Sequence, residues 1–338
     1  MNFSAIFNGE NIEEQLVSIL NDIHKYGPIN PCHFESLALI KKHYPNIFSQ
    51  YEKKLIYVLG LFYKITEPQS LTEVLYKTYA DLIKDKYGEN FTPIQASAYN
   101  QIYTNRIFSF SAPTSIGKSY LFRHLIKNYD QDIAIIVPSR ALISEYIFEI
   151  LNSVDNSVLV LQFVENINKS HIRRRIFVLT PERAGELFKY KNNFNIGLFL
   201  FDEAQISEEN IRGMRFDALV NRIDKNFPAA KKVFAHPFIS NPDAQLTKHK
   251  FIQNSASQKY AQQSVGKIYL SFNNNKFSYF SPYNEGKTKR FPISTDPIEE
   301  LLLNDGTLLV YTSKTNIYTG KYLSTFSNYI NLCKQINN

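Results

Sequence analysis

From Asn90 onward the sequence alternates short apolar runs with stretches of helical periodicity, a pattern that few folds accommodate. The runs are Ile107–Ser111, Ile133–Val137, Val158–Phe163, Ile176–Leu179, Ile196–Phe201 and Lys232–Ala235. IAIIVP and GLFLFDEA are continuous apolar stretches, as strands covered on both faces of a parallel sheet must be. The spacing predicts an α/β domain with a doubly wound parallel sheet over 89–255. Residues 1–88 carry helical spacing instead, with Leu16, Leu20 and Ile23 on one face, then Leu37, Leu39 and Ile40, then Leu55, Val58, Leu59, Leu61 and Phe62. Breaks at Gly27-Pro28, Pro45-Asn46 and Glu67-Pro68 divide them into about four helices, an α-helical accessory region. Over 256–338, alternating aromatics around Asn273–Asn275 predict a β-hairpin, followed by a looser linker and a last apolar run at Thr307–Thr312.

A chain of 338 residues, 44% hydrophobic and 20% charged, has the composition of a globular protein and length for about two domains. No stretch approaches the roughly 18 apolar residues that a membrane-spanning helix needs, so no membrane partner is expected. The opening MNFSAIFNGENIEE lacks the basic start and apolar core of a secretory signal, which makes the cytoplasm the expected location. Cys32 and Cys333 are the only cysteines and neither has a CxxC partner, which excludes a readable zinc site or disulfide framework. The net charge of +7 leans mildly toward polyanions and decides nothing alone.

The most specific segment is SAPTSIGKSY at 111–120. A GKS tripeptide by itself is an ordinary surface turn. Here the apolar run RIFSFS precedes it and the helical pattern YLFRHLIKNY follows, which is the strand–loop–helix context of a phosphate-binding loop. The main-chain amides of Ala112, Pro113, Thr114, Ser115, Ile116, Gly117, Lys118 and Ser119, proline excepted, would offer partial positive charge to a polyphosphate at a helix start. Lys118 would reach the β- and γ-phosphates, and the Ser119 hydroxyl suits Mg²⁺, a hard cation that takes oxygen ligands. Farther on, the apolar LFLF ends in Asp202-Glu203. Asp202 suits the metal shell, and Glu203 suits the base that orients or deprotonates an attacking water.

Ala112 stands where the commonest loop has a glycine, and the A-x-T-x-x-G-K-[ST] form resembles that of superfamily 2 DExD/H-box (DEAD/DEAH-type) helicases. The neighbouring stretches are similar in the same order. Phe91-Thr92-Pro93-Ile94-Gln95 resembles the Q motif, VPSRALISE (137–145) motif Ia, LTPERAGEL (179–187) motif Ib, and LFLFDEAQ (198–205) Walker B. The resemblance covers roughly residues 90–250 and implies a RecA-like P-loop NTPase fold. It also implies an ATP hydrolase with ATP and Mg²⁺ as cofactors, catalytic Lys118, Asp202 and Glu203, and Phe91 and Gln95 beside the adenine. Motifs Ia and Ib would face the nucleic acid. Where strands feed helices there, Ser139, Arg140, Thr180 and Arg183 would hold the phosphate backbone of DNA or RNA without reading bases. The cluster Arg173-Arg174-Arg175, with Lys169 and His171 nearby, is a candidate extension of that groove.

The pattern also departs from the family. Motif III, usually Ser-Ala-Thr, is occupied by Ala235-His236-Pro237, although Asn241-Pro242-Asp243 continues as the family does. Ser115 stands where a glycine is common. No Q-x-x-G-R-x-x-R stretch follows residue 205, and LLVYTSKTNIYTGKY (308–322) resembles only the first strand and helix of a second RecA-like domain. Turnover is therefore expected to be weak unless a partner chain or further sequence supplies that second motor domain. Two other functions fit the same residues: a nucleotide-binding or regulatory module without turnover, and a P-loop ATPase with no nucleic-acid role.

Overall fold

A computed structural model describes residues 3–113, 116–165, 171–237, 239–274, 276–283 and 289–330, the side chains of 322–325 and 330 apart. Helices α1 (Phe3–Asn8), α2 (Ile12–Tyr26), α3 (Pro31–His43), α4 (Pro45–Val58) and α5 (Leu71–Tyr87) come first. There follow α6 (Pro93–Thr104), β1 (Ile107–Ser111), α7 (Lys118–Asn128), β2 (Asp132–Ile136), α8 (Arg140–Leu151), β3 (Val158–Leu161), β4 (Arg174–Leu179) and α9 (Pro181–Ala184). The run continues with β5 (Ile196–Phe201), α10 (Asn210–Asn226), β6 (Lys231–His236), α11 (Ala244–Lys248) and β7 (Ser255–Lys259). Last are β8 (Tyr269–Asn273), β9 (Lys276–Phe280), β10 (Phe291–Pro292), α12 (Pro297–Leu303), α13 (Lys314–Tyr318) and α14 (Lys321–Ile330).

The chain divides into two compact units. The larger takes residues 17–30 and 49–265 and is built on a seven-stranded parallel sheet of order β3-β4-β2-β5-β6-β1-β7. Alternate residues of each run face opposite helical layers. Leu198 and Leu200 of β5 pack with Phe108, Ile133, Ile135 and Val233, whereas Phe199 and Phe201 pack with Ala134, Phe177, Phe216 and Phe234. A strand that must satisfy two apolar layers has no polar face, which is why these runs are continuous in the sequence. Because all seven strands point the same way, the residues that follow β1, β2, β4, β5 and β6 emerge along one edge of the sheet, the usual ligand edge of an open α/β sheet.

The smaller unit gathers described residues of 1–16, 31–48 and 266–338. Its three-stranded sheet has the order β10-β9-β8, and β8 and β9 form the expected antiparallel hairpin. Tyr279 is buried, and Phe7 stacks between its ring and that of Phe291 at 5.4 and 4.4 Å. Glu35 accepts a hydrogen bond from the buried Ser281 hydroxyl.

Two expectations change. The sheet gains a strand past residue 255: β7, SASQK, pairs in parallel with β1 at the sheet edge, where three of its five residues are exposed and none is buried, so polarity costs little. The run 307–312 forms no strand among the described residues. Leu309 and Tyr311 are 91% and 100% exposed, because no neighbouring strand is there to pair with an extended segment.

Candidate functional site

The loop after β1 leads into α7, whose first helical residue is Lys118. Gly117 caps the helix at φ +80°, a left-handed conformation that glycine adopts without a Cβ penalty. A Cβ there would stand 2.6 Å from Gln95 Nε2. Gln95 is buried and its amide is committed on both sides. Its Oε1 accepts from Thr92 N (2.9 Å) in a capping box that starts α6, and its Nε2 donates to Ile116 O (3.1 Å) and Gly117 O (3.3 Å). Gln95 thus braces the loop from the outside. Phe91 is fully buried against Tyr99, Tyr120 and His124, and it supports that brace rather than lining a surface. Thr114 and Ser115 lie outside the described residues.

Lys118 is 8% exposed, and its Nζ donates to His236 O (3.0 Å) and Ala112 O (3.4 Å). Burial lowers the ammonium pKa, and the nearby Glu203 and Asp202 oppose that shift. Lys118, Ser119, Asp202 and Glu203 line one cavity of about 450 Å³, which Leu142, Glu145 and Tyr146 of α8 also wall. Residues some eighty positions apart in sequence meet there because β1 and β5 end on the same sheet edge.

At the end of β5 the Asp202 amide still donates to Ile136 O of β2 (3.0 Å), which continues the sheet by one residue. Its Oδ2 accepts from the Tyr146 hydroxyl (2.7 Å) and its Oδ1 from Glu203 N (3.0 Å). Burial raises the Asp202 pKa most, the Tyr146 hydrogen bond lowers it, and Glu203 raises it again. Tyr146 is itself buried, and desolvation beside Asp202 holds its phenol well above the usual pKa, so it is a donor at neutral pH. Glu203 has φ +52°, uncommon for a residue with a side chain. The turn tilts its carboxylate to accept from Gln205 Nε2 at 2.6 Å.

His236 ends β6, is 3% exposed, and burial pushes its pKa down to about 4 with help from Lys118. The Ser109 hydroxyl of β1 donates to Pro242 O (2.6 Å), so the 3.1 Å contact with His236 Nε2 has the imidazole as donor. Ser111 holds the same loop through Pro237 O (2.8 Å) and Ile239 N (2.8 Å). Hydroxyls absent from 235–237 therefore stand on the adjacent strand.

Residues 92–242 match the family model of the DEAD/DEAH box helicase. Those residues form a DEAD/DEAH box helicase-type domain by that match. Among solved structures, the crystal structure of the DUF1998 helicase MrfA aligns over 75% of this chain at 14% identity and a TM-score of 0.47. The aligned part spans 41% of that helicase's length. No curated protein matches the sequence.

In the helicase domain, the candidates for strand contact follow β2 and β4, which are neighbours in the sheet. Ser139 caps α8 by accepting from Leu142 N (3.4 Å), and Arg140 is exposed. Thr180 is buried at the start of α9, and its side chain bonds Glu182. Arg183 donates to Gln162 O (3.2 Å) and lies over the Phe163 ring at 4.3 Å. The basic cluster does not join them. Arg173–Arg175 sit at the start of β4, the opposite sheet edge. Arg174 is 1% exposed and donates through Nη2 to Ile126 O (2.7 Å) and Lys127 O (3.3 Å), where a cation suits the C-terminus of α7. Arg175 lies against Asp132 and the Phe194 ring. Lys169 lies outside the described residues.

Two features escaped the sequence. Tyr146 lies one residue beyond the stretch 137–145, and nothing local marks it. A mostly apolar cavity of about 430 Å³ adjoins Ile116 and Gly117, walled by Leu61, Tyr63, Tyr76, Ile94 and Tyr120. Its wall combines the α4–α5 connection, α5 and the start of α6, which no short motif could join.

Proposed function

We propose that this domain binds ATP with Mg²⁺, hydrolyses it, and uses the cycle to act on a DNA or RNA strand held by its backbone. The observation that carries this reading is the one cavity on which the Lys118 ammonium, the Ser119 hydroxyl and the Asp202 and Glu203 carboxylates converge. The donor set fits the cation: a hydroxyl and a carboxylate are hard oxygen ligands, and Mg²⁺ on a nucleotide takes its remaining ligands from phosphate and water. When bound, the cation would neutralise charge on the phosphates. Lys118 would exchange its contacts with Ala112 O and His236 O for phosphate oxygens, and the amides at the start of α7 would face the same anion. Glu203, tilted by its left-handed backbone and steadied by Gln205, is suited to hold the attacking water and receive its proton. The apolar cavity beside Gly117 has room for a nucleoside, and its tyrosines offer ring faces for a base. Ser139, Arg140 and the first amides of α8 are the proposed strand contacts, with sequence-independent and salt-sensitive binding.

Titration of a fluorescent ATP analogue tests the assignment. Lys118→Ala should weaken binding at least about a hundredfold, since charge-assisted hydrogen bonds contribute about 1.5–3 kcal/mol each. Glu203→Gln should retain binding and lose turnover. Equal affinity of wild type and Lys118→Ala removes the site assignment. ATPase rates indifferent to single-stranded nucleic acid at every salt concentration remove the strand role.

A further inference from the structure

Helix α8 supplies one wall of the cavity and packs in the same apolar layer as α7. Ser139 caps it, and Leu142, Glu145 and Tyr146 wall the cavity beside Lys118, Ser119, Asp202 and Glu203. Tyr146 packs in the same apolar layer as Ile143 and Ile150, which fixes its ring, and its hydroxyl is directed to Asp202 Oδ2 at 2.7 Å. The other carboxylate oxygen accepts from the Glu203 amide at 3.0 Å. The carboxylate is therefore held from two sides, by a main-chain donor of its own turn and by a side chain from another element. Each carboxylate oxygen has two lone-pair directions, so both hydrogen bonds leave a free position for a cation.

We propose that Tyr146 is a positioning residue that orients the Asp202 carboxylate toward a divalent cation. It rests on the nucleotide–metal reading of the cavity and adds a residue that the motif pattern does not mark. Without the hydroxyl, Asp202 Oδ2 loses its one side-chain donor among the described residues, and the carboxylate is free to rotate about its Cβ–Cγ bond. A cation must then be bound by a group that is ordered only on binding. Removing such an orienting hydrogen bond typically weakens metal affinity 10–100-fold.

The test is Tyr146→Phe, which keeps the ring and its packing. A fluorescent ATP analogue is titrated first without divalent metal and then at fixed concentration against MgCl₂, with wild type and Lys118→Ala in parallel. The expected result is unchanged metal-free affinity together with a rise of about tenfold or more in the MgCl₂ concentration for half-maximal effect. A purely structural role would lower the thermal midpoint and both affinities together, without selecting the metal. Unchanged MgCl₂ dependence in Tyr146→Phe, with normal metal-dependent binding in wild type that Lys118→Ala abolishes, overturns this proposal and leaves the nucleotide site standing. Metal-indifferent binding in wild type overturns both.

Discussion

Gly117→Ala makes the sharpest demand on the loop geometry. The added Cβ must adopt the left-handed backbone now at φ +80°, which costs about 1–2 kcal/mol for a residue with a side chain. It also arrives 2.6 Å from Gln95 Nε2, too close for the amide to stay. If Gln95 swings away, its bonds to Ile116 O and Gly117 O go with it, about 1 kcal/mol each, for a total of roughly 3 kcal/mol. The two parts separate in a double-mutant cycle. Gln95→Ala alone loses those bonds and half of the capping box. In that background Gly117→Ala meets no amide and should cost only the backbone part, leaving a coupling of about 2 kcal/mol. Urea denaturation without nucleotide gives the four stabilities. Far-ultraviolet circular dichroism is the probe because the chain has no tryptophan. Costs that add to within about 0.5 kcal/mol would refute the claim that Gln95 holds the loop through this contact.

Three further outcomes concern single titratable or charged side chains. His236 has a folded pKa lowered to about 4 from 6.5. Above pH 6.5 both states are neutral, and as pH falls toward 4 only the unfolded chain gains the proton, so stability drops by about 3 kcal/mol across that window. His236→Gln should flatten this slope in denaturation at pH 7 and pH 5; an unaltered slope refutes the assignment. Arg174→Met leaves two carbonyls at the end of α7 unpaired and should cost about 1–3 kcal/mol of stability without changing oligonucleotide affinity. Arg140→Ala should do the reverse, weakening oligonucleotide binding and reducing the log–log salt slope by about one, as measured by fluorescence anisotropy. An exchange of these two phenotypes would place the strand on the other sheet edge.

Much of the core domain could be read from local sequence. Ile107–Ser111 and Ile196–Phe201 are strands to the residue, because a strand buried on both faces has no choice but to be apolar throughout. The strand–loop–helix run around Gly117 was legible because its three parts are consecutive, and the position of Asp202-Glu203 because it ends such a strand. Local pattern fails where partners are distant or where water relaxes the constraint. The polar β7 is invisible because an edge strand needs no apolar face, while Thr307–Thr312 is apolar and still has no strand to join. Charge likewise does not say which end of a strand it occupies: Arg173–Arg175 were a candidate extension of the strand groove, yet the sheet puts them opposite the site and buries Arg174. Gln95 and Tyr146 make the same point at the centre of the molecule. Residue type announces an amide and a phenol, but only strand order decides that one braces Gly117 and the other holds Asp202, since both contacts join segments that the chain itself keeps far apart.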